Sequence, residues 1–280
     1  LEQTGAATGR MSSRDPNLQN IPADSGRGKA IRQAFLARPG HLLLALDYSQ
    51  IEMRVLAVLS GDKDLLEIFH TGGDIHTGVA SRVFSVPEKE VTKDMRRKAK
   101  VINFGIIYGM GVNALKANLG STRQEASDFY DRYFATFPTI NTYFDEVKLQ
   151  AKKRGYTETY FGRRRYLPGL SSPIPFIRAA AERAAMNAPI QGTAADIIKL
   201  AMIKVDERLK KENLLAQAHL LLQVHDELLY EVEEGIVEKV LPIIKAGMEN
   251  VMTSLPESAG GGWPIPLVTS SATGHTWGEL

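Results

Sequence analysis

The sequence predicts an α+β fold in which a mainly helical centre is preceded by a buried strand and followed by a β-hairpin. Residues 42–46 form a short apolar run that is typical of a buried strand. Apolar residues then recur at helical spacing through the middle of the chain. Two apolar-rich runs, 218–224 and 227–232, are separated only by His225 and Asp226, which indicates a hairpin. We also expect a final strand near the C-terminus.

The predicted elements follow one another along the chain. An irregular segment rich in Gly, Ser, Pro and Asn covers residues 4–27 and precedes the first strand. Helices are predicted at 49–60, 62–70, about 74–84, 93–109, 123–153 and 176–211. Pro138 and Pro189 lie inside the last two of these segments, and each is expected to break its helix because proline has no backbone N–H to donate.

Composition limits the classes of protein and of metal site. With 280 residues, of which 44% are hydrophobic and 24% charged, the chain suits one large or two smaller folded domains and is too apolar to be disordered. The absence of cysteine excludes disulfides, thiolate zinc sites, iron–sulfur clusters and a thiol nucleophile. A bound metal is therefore expected to be a hard cation with oxygen ligands.

The sequence carries no membrane signal. It has no stretch of about 18 apolar residues that could span a bilayer, and its N-terminus lacks the basic and apolar segments of a signal peptide. We therefore expect no membrane partner. The first residue is leucine rather than methionine, so we expect the chain to be a piece of a longer protein.

Charge is distributed unevenly, although the formal net charge is only +2. Residues 93–100 contain five basic residues and one acid, and residues 148–165 contain seven basic residues and one acid. Six acids crowd residues 226–238, where a polyphosphate would be repelled unless cations intervened. The basic middle and the acidic segment therefore point to different chemistry.

Four residues of the predicted 93–109 helix recur at every fourth position and carry a positive charge or a ring: Arg96, Lys100, Phe104 and Tyr108. Each step of four turns about 40° around a helix, so the four lie on one face about 18 Å long, here called the basic–aromatic stripe. The stripe has the length and chemistry to bind a nucleoside triphosphate. The alternative is a solvated basic helix whose aromatic rings enter the core, and spacing alone leaves both open.

Two aspartates are predicted at strand ends: Asp47 after the first strand and Asp226 in the hairpin turn, with Glu227 beside the latter. Ionised carboxylates that are brought together repel each other unless a cation such as Mg²⁺ lies between them. The pair therefore suggests a two-metal centre of the kind that assists phosphoryl transfer. Taken alone, both acids could equally serve as turn residues.

Two further residues have structural explanations that compete with functional ones. Ser49 and Glu52 form the Ser-x-x-Glu pattern of a capping box, which accounts for the glutamate without any catalytic role. His76 fits a core or helix-capping histidine as well as a phosphate ligand. These residues alone do not decide between the explanations.

Several segments resemble motifs of the DNA polymerase I family (family A). Residues 46–54 (LDYSQIEMR) resemble its first polymerase motif, residues 96–109 its nucleotide-binding helix, and residues 223–227 (QVHDE) its third motif. Further segments resemble the family at 8–10 (TGR), 15–22 (DPNLQNIP), 74–77 (DIHT), 161–165 (FGRRR) and 191–196 (QGTAAD). The motifs occur in the order of the family, and the resemblance covers nearly the whole chain.

The resemblance implies a right-hand polymerase fold. Residues 1–51 and 173–280 would form the palm, an antiparallel sheet with helices, and residues 52–172 would form the helical fingers. Family members also have a helical thumb and an exonuclease-like portion, which these residues do not match. The resemblance implies that both lie N-terminal to this chain in the same protein.

The resemblance also implies an activity, the templated addition of deoxynucleotides from dNTPs to a primer 3′ hydroxyl with release of pyrophosphate. Asp47, Asp226 and the backbone carbonyl of Tyr48 would bind two Mg²⁺ ions, and Glu227 would support this site. Lys100 would donate a proton to the leaving pyrophosphate. Primer–template DNA and dNTPs would be the partners. The location would be the cytoplasm at the nucleoid, with an organelle left open.

Family motifs further imply which residues bind the substrates. His76, Arg96 and Lys100 would contact the phosphates of the dNTP, Phe104 would stack on its base or sugar, and Tyr108 would lie near the templating position. Gln50 and Glu52 would line the ribose pocket, where Glu52 would exclude a 2′ hydroxyl. The primer–template would contact Arg10, Asn17, Gln19, Arg97, Arg183, Asn187, Gln191 and His225, several of them reading minor-groove acceptors.

Three other functions stay open at this point. A non-catalytic nucleic-acid-binding remnant is disfavoured by the presence of Asp47, Asp226 and Lys100. A related single-subunit RNA polymerase is disfavoured by Glu52 and by the DIHT segment. A two-metal nuclease is disfavoured because only one compact acidic pair is evident.

Overall fold

The computed structural model describes residues 1–23, 25–256 and 261–280, and its helices and antiparallel sheet confirm the predicted α+β class. The helices are α1 (Gly26–Arg32), α2 (Ile51–Ser60), α3 (Lys63–His70), α4 (Ile75–Phe84), α5 (Lys93–Ile107), α6 (Val112–Leu119), α7 (Arg123–Thr136), α8 (Pro138–Arg154), α9 (Pro175–Lys211) and α10 (Val237–Glu249). The strands are β1 (His41–Tyr48), β2 (Tyr156–Glu158), β3 (Arg164–Tyr166), β4 (Ala218–Val224), β5 (Glu227–Glu233) and β6 (Thr269–Gly274). None of the described helices is long and apolar enough to cross a membrane.

The chain divides into two compact units. The first comprises Leu1–Ile51, Ala194–Gly262 and Leu267–Leu280, and the second comprises Glu52–Thr193 and Trp263–Pro266. The assignment of residues 1–51 and 173–280 to a palm, and of residues 52–172 to fingers, stays a prediction.

The first unit contains a four-stranded antiparallel sheet in the order β4–β5–β1–β6. β1 is a central strand, and its residues Leu44 and Leu46 are fully buried because both faces of the strand are covered. The hydroxyl of Tyr48, the last residue of β1, donates a hydrogen bond to the carbonyl of Met248 in α10 at 2.8 Å. The structure thus confirms the predicted first strand, the hairpin and a final strand near the C-terminus.

One side of this sheet packs against a core that joins distant parts of the chain. Leu43 and Ala45 of β1, Val224 and Leu229 of the hairpin, and Trp277 near the C-terminus form one buried cluster. Burial of such a cluster is the main favourable contribution to the free energy of folding. The cluster therefore fixes the position of β1 relative to the hairpin, and with it the positions of the residues at their ends.

Polar caps determine where helices of the second unit begin. The side chains of Asp74, Thr92 and Thr122 each accept a hydrogen bond from a backbone N–H in the first turn of α4, α5 and α7, respectively. Thr122 also forms a reciprocal capping box with Glu125. These bonds satisfy donors that the first turn of a helix otherwise leaves unpaired. The cap at Thr92 consequently starts α5 at Lys93, as the sequence predicts.

The two prolines that were expected to break helices behave differently. Pro138 is the first residue of α8, a position where its missing N–H costs nothing, so the predicted break is confirmed. Pro189 lies inside the continuous helix α9, so the predicted break there is wrong. Ala185 and Ile190 beside it are fully buried, and this packing holds the helix together despite the lost hydrogen bond.

Some elements were not predicted from the sequence. Helix α10 contains Pro242, which masks its helical pattern, and Gly247 in the same helix approaches α9 so closely that a Cβ atom there would lie 2.6 Å from Cγ2 of Val205. Strands β2 and β3 have three residues each, too few for a periodic signal. The helix predicted at 49–60 begins at Ile51.

Candidate active site

Two segments that are far apart in sequence meet at one end of the sheet in the first unit. Asp47 of β1 is paired with Glu227 of β5 in the antiparallel register. The backbone N–H of Tyr48 donates a hydrogen bond to the carbonyl of Asp226 at 3.1 Å. The structure therefore brings together the predicted strand-end and hairpin acids. We call Asp47, Asp226 and Glu227 the acidic centre.

The turn that carries Asp226 is fixed by side-chain hydrogen bonds. His225 has a φ of 54°, in the left-handed region that a tight hairpin turn requires. The side-chain amide of Gln223 donates to the carbonyl of His225. The side-chain amide of Gln19 in turn donates to the carbonyl of Gln223 at 2.9 Å. These bonds hold the turn in one conformation and thereby fix the position of Asp226.

Burial raises the pKa of all three acids, and for two of them a neighbouring acid adds to the shift. Burial raises the pKa of Asp47 to about 7, and the negative charges of Asp226 and Glu227 add to this effect. Burial also raises the pKa of Asp226, against the opposing charge of Arg10. The pKa of Glu227 is raised by burial as well, against the opposing charge of Arg32. The acidic centre therefore holds like charges together in a partly desolvated place.

This donor set fits a divalent cation with oxygen ligands. Carboxylates whose pKa values are raised by burial and by one another gain most from a cation between them, and carboxylate and carbonyl oxygens are the ligands that Mg²⁺ prefers. Among the described residues, no group of three or more His, Asp or Glu side chains is arranged to hold a metal ion. The predicted ligand set contains two carboxylates, Asp47 and Asp226, and a backbone carbonyl, that of Tyr48.

The basic–aromatic stripe lies in the second unit, and its side chains are exposed to solvent. Phe104 is 39% exposed and Tyr108 is 48% exposed, whereas the opposite face of α5 is buried. The alternative in which both rings enter the core is therefore wrong. Tyr108 lies just beyond the last residue of α5, as its C-cap. Both rings are therefore accessible from solvent.

His76 lies beside the stripe. Its ring is 3% exposed, its centroid lies 5.6 Å from that of Phe104, and its Nδ1 lies 3.1 Å from the side-chain nitrogen of Asn103. Burial lowers the pKa of His76 to about 4, with the positive charges of Arg96 and Lys100 contributing against the opposing charge of Asp74. The imidazole is therefore neutral at pH 7. With the Asn103 amide donating to Nδ1, its proton resides on Nε2.

The two residues predicted at a ribose pocket have different surroundings. Glu52, near the start of α2, accepts a hydrogen bond from the hydroxyl of Tyr108 at 3.1 Å. Glu52, the residue predicted to exclude a 2′ hydroxyl, is thereby bonded to Tyr108 at the end of the stripe, and both residues belong to the second unit. Gln50 lies between β1 and α2 with a φ of 50°, so the chain turns sharply at this point.

Of the predicted DNA contacts, four lie in the first unit. Arg10 lines one small cavity together with Gln223 and His225. Gln19 bonds to Gln223, as described above, and the side chain of Asn17 accepts a hydrogen bond from the backbone N–H of Gln19 at 3.1 Å. The structure therefore groups Arg10, Gln19 and His225 around the turn that carries Asp226.

The other predicted DNA contacts lie in the second unit. Arg183, Asn187 and Gln191 follow one another at a spacing of four on α9, which places them on one face. The side chain of Asn187 donates to the carbonyl of Ile107 at 3.3 Å. Arg97 lies about 100° around α5 from the stripe and forms an ion pair with Asp94 at 2.8 Å.

In each unit, side chains that were not predicted as site residues interact with the predicted ones. Asp74 bonds to Arg96, Asn103 bonds to His76, and Arg32 acts on the pKa of Glu227. Asp74 directly precedes a predicted helix, and an aspartate at this position is typical of an N-cap, so the sequence indicates its structural role. For Arg32 the sequence offered no signal, because its proximity to Glu227 results from the packing of the first unit.

Comparison with known proteins gives a consistent result. The sequence model of the protein family 'DNA polymerase family A' matches residues 1–279 of this chain. DNA polymerase I, thermostable, of Thermus thermophilus is 51% identical over 277 residues, and DNA polymerase I of Pseudomonas aeruginosa is 48% identical over 277 residues. Each match covers 99% of this chain but only 32% and 29% of these relatives. The chain thus spans about a third of the length of the curated relatives it matches.

Among solved structures, the chain is similar to the POL domain of Pol1 from M. smegmatis in complex with DNA primer-template and dNTP. The TM-score is 0.90 and the sequence identity 47%, and the match covers 99% of this chain and 47% of that one. This likeness confirms the predicted architecture of an antiparallel sheet combined with helices.

Proposed function

The chain belongs to DNA polymerase family A, and from this premise we propose that it catalyses DNA-templated addition of deoxynucleotides to a primer 3′ hydroxyl, with release of pyrophosphate. Its substrates would be primer–template DNA and dNTPs. A DNA substrate would place the activity with the chromosome of the cell, at the nucleoid of a bacterium. The observation that carries the proposal is the β1–β5 register that joins Asp47 to the turn of Asp226.

The acidic centre would hold two Mg²⁺ ions, with Asp47, Asp226 and the carbonyl of Tyr48 as ligands and Glu227 in support. Bound divalent cations supply charge stabilisation at the attacking and leaving oxygens of a phosphoryl displacement. The sheet contributes rigidity, because the carboxylates are fixed by strand register and by the hydrogen-bonded turn rather than by a mobile loop.

The basic–aromatic stripe would bind the nucleotide. Arg96 and Lys100 would contact the phosphates, and the N–H at Nε2 of the neutral His76 would donate a hydrogen bond to a phosphate oxygen. Phe104 would stack on the base or sugar, since 39% of its surface is available to solvent. Lys100 would also donate the proton that the leaving pyrophosphate requires.

Selection of the correct substrate would depend on other residues of the two units. Glu52, oriented by the hydroxyl of Tyr108, would exclude a 2′ hydroxyl, and Gln50 would line the ribose pocket. Tyr108 would lie near the templating position. The primer–template would be bound by the residues of the first unit around the hairpin turn and by those of the second unit on α5 and α9: Arg10, Asn17, Gln19, His225, Arg97, Arg183, Asn187 and Gln191.

Primer extension with variants of the acidic centre tests this proposal. We expect Asp47→Asn and Asp226→Asn each to lower the extension rate by about a thousandfold in Mg²⁺, because one charged ligand is lost. Glu207→Gln is the matched control, since Glu207 is an exposed acid on α9 that pairs with Lys204 at 3.3 Å. Circular dichroism should show all three variants folded, and calorimetry should show weakened Mg²⁺ binding only in the first two.

Two results would contradict the proposal. One is a rate within tenfold of the unmodified protein in either Asp variant, which would remove the metal assignment. The other is extension that proceeds equally well with ribonucleotides, which would favour an RNA polymerase.

A further inference from the structure

Arg96 of the basic–aromatic stripe forms an ion pair that the proposed function does not use. Asp74 immediately precedes α4, 22 positions before Arg96 in the sequence. Nε of Arg96 donates to Oδ2 of Asp74 and Nη2 donates to Oδ1, both at 2.9 Å. A pair with two parallel bonds fixes the plane of the guanidinium, which a single bond does not.

Asp74 is itself held in place by α4. Its Oδ2 accepts hydrogen bonds from the backbone N–H of Thr77 at 2.8 Å and from the Thr77 hydroxyl at 2.7 Å. Burial alone would raise the pKa of Asp74, but the hydrogen bonds from Arg96 and Thr77 outweigh this effect and lower the pKa to about 2. The carboxylate therefore stays ionised at every pH at which the protein is expected to work.

The ion pair leaves one edge of Arg96 available. A guanidinium has five N–H donors, and the contacts that the structure describes for Arg96 engage one on Nε and one on Nη2. The side chain remains 47% exposed. Lys100 follows one turn later on the same face of α5, and His76 packs against Phe104 of that face. The remaining donors of Arg96 thus belong to the surface proposed to bind phosphates.

We propose that Asp74 is a positioning residue for the triphosphate: it fixes the plane of Arg96 so that the outer edge of the guanidinium meets the phosphates of an incoming nucleotide. This inference rests on the proposed function and does not require Asp74 to touch the nucleotide. The negative charge of the Asp74 carboxylate repels the negatively charged triphosphate. Asp74 therefore favours binding only because ordering the guanidinium outweighs that repulsion.

A double-mutant cycle between the two residues tests the proposal. Asp74→Asn retains a good helix cap but loses the charge and the two-bond acceptor. We expect it to raise KM for dNTP about tenfold with kcat changed by less than about twofold, as for loss of a residue that orients a ligand-binding group. In the Arg96→Ala background the same substitution should change KM by less than about twofold, because there is no guanidinium left to orient.

Asp94→Asn is the matched control. Asp94 lies in the first turn of α5 and pairs with Arg97 and Lys98, both at 2.8 Å, but not with Arg96. This substitution should leave KM for dNTP unchanged. Melting temperatures of all variants should be recorded, so that a loss of folded protein is not read as a loss of affinity.

The outcomes separate this inference from the proposed function. If Arg96→Ala raises KM while Asp74→Asn leaves it unchanged or lowers it, Asp74 competes with the nucleotide for Arg96, and only the inference is wrong. If Asp74→Asn raises KM equally in both backgrounds, its role is merely structural, and the inference is again wrong. If Arg96→Ala leaves KM unchanged, the phosphate-binding role of the stripe fails, and with it this part of the proposed function.

Discussion

Asp47 in the first unit and Asp74 in the second are both aspartates at the end of a secondary-structure element, yet their pKa values are shifted in opposite directions. Burial, and then the charges of Asp226 and Glu227, raise the pKa of Asp47 to about 7. For Asp74 burial acts in the same direction, but the hydrogen bonds from Arg96 and Thr77 lower its pKa to about 2. One acid lies among other acids, and the other is paired with a base.

This difference distinguishes two kinds of charged site. The Asp74–Arg96 pair is favourable in the folded protein by itself, so its presence needs no ligand. The acidic centre is unfavourable by itself at neutral pH, because folding forces like charges into a place where water is partly excluded. A site of the second kind is retained at the expense of stability, as expected if the proposed cation binds there.

The largest expected effect concerns the stability of the acidic centre. Because the folded-state pKa of Asp47 lies above its usual value of 3.8, the folded protein binds the proton more tightly, and stability falls as the pH rises from 3.8 to about 7. Asp47→Asn removes this loss and should raise the free energy of unfolding by at most roughly 4 kcal/mol at pH 8. Urea denaturation at pH 8 in the presence of a chelator measures the change.

Three comparisons complete this prediction. The gain in Asp47→Asn should disappear near pH 4, where the carboxyl group is protonated in the folded protein, and should shrink in Mg²⁺. The control Glu207→Gln alters an exposed acid and should change stability by less than about 0.5 kcal/mol. An Asp47→Asn variant that is no more stable than the unmodified protein at pH 8 would remove the contrast between the two sites.

The two sites also differ in how far the sequence predicts them. The basic–aromatic stripe follows from the spacing of four between residues of one predicted helix. The structure confirms that helix for Arg96, Lys100 and Phe104, whereas Tyr108 is its C-cap. The proximity of Asp47 and Asp226 could not be derived in this way, because 179 positions separate them and only the register of β1 and β5 joins them. The pattern of apolar residues predicted the two strand ends. The family resemblance predicted that Asp47 and Asp226 lie in one site.

The features that the sequence left open, and the one wrong helix break, have tertiary causes. The exposure of Phe104 and Tyr108 depends on what covers each face of α5, which a repeating pattern does not specify. Pro189 fits inside α9 because its buried neighbours stabilise the helix. The intrinsic helix propensity of proline, from which the break was predicted, does not include such packing. The bond between Asp74 and Arg96 requires α4 and α5 to pack side by side. Sequence therefore predicted most of the local elements, whereas packing determined which side chains meet.

The next largest effect concerns the chemistry assigned to the stripe. If Lys100 donates a proton to the leaving pyrophosphate, Lys100→Ala should lower kcat by about a hundredfold, at the lower end of the range for general acid catalysis. Single-turnover extension at saturating dNTP measures the effect. Lys98→Ala is the matched control, because Lys98 pairs with Asp94 elsewhere on α5. A fall in affinity alone, with kcat unchanged, would restrict Lys100 to phosphate binding and leave the chemistry to the acidic centre.

A smaller effect is expected for sugar selection at the end of the stripe. Glu52→Ala removes the proposed barrier and should raise ribonucleotide incorporation, relative to deoxynucleotide, by about tenfold. Tyr108→Phe removes only the hydroxyl that bonds to Glu52 at 3.1 Å, so it should relax selection less. Competition between the two nucleotide types in one extension reaction measures both ratios. If both variants raise ribonucleotide incorporation by the same factor, the orientation of Glu52, rather than its bulk, determines which sugar is selected.

The smallest effect is the stability contributed by the Asp74–Arg96 pair, and its sign is opposite to that for Asp47. The folded-state pKa of Asp74 lies below 3.8, so its contribution is present above that pH and is lost as the pH falls toward 2. The pair is largely exposed and screened by solvent, so Asp74→Asn should lower the free energy of unfolding at pH 7 by less than about 1 kcal/mol. Urea denaturation at pH 7 and near pH 3, at low and high salt, should show this deficit shrinking with acid and with salt. If Asp74→Asn instead stabilises the protein at pH 7, both acids would be unfavourable in the folded state, and a raised pKa would no longer set the acidic centre apart.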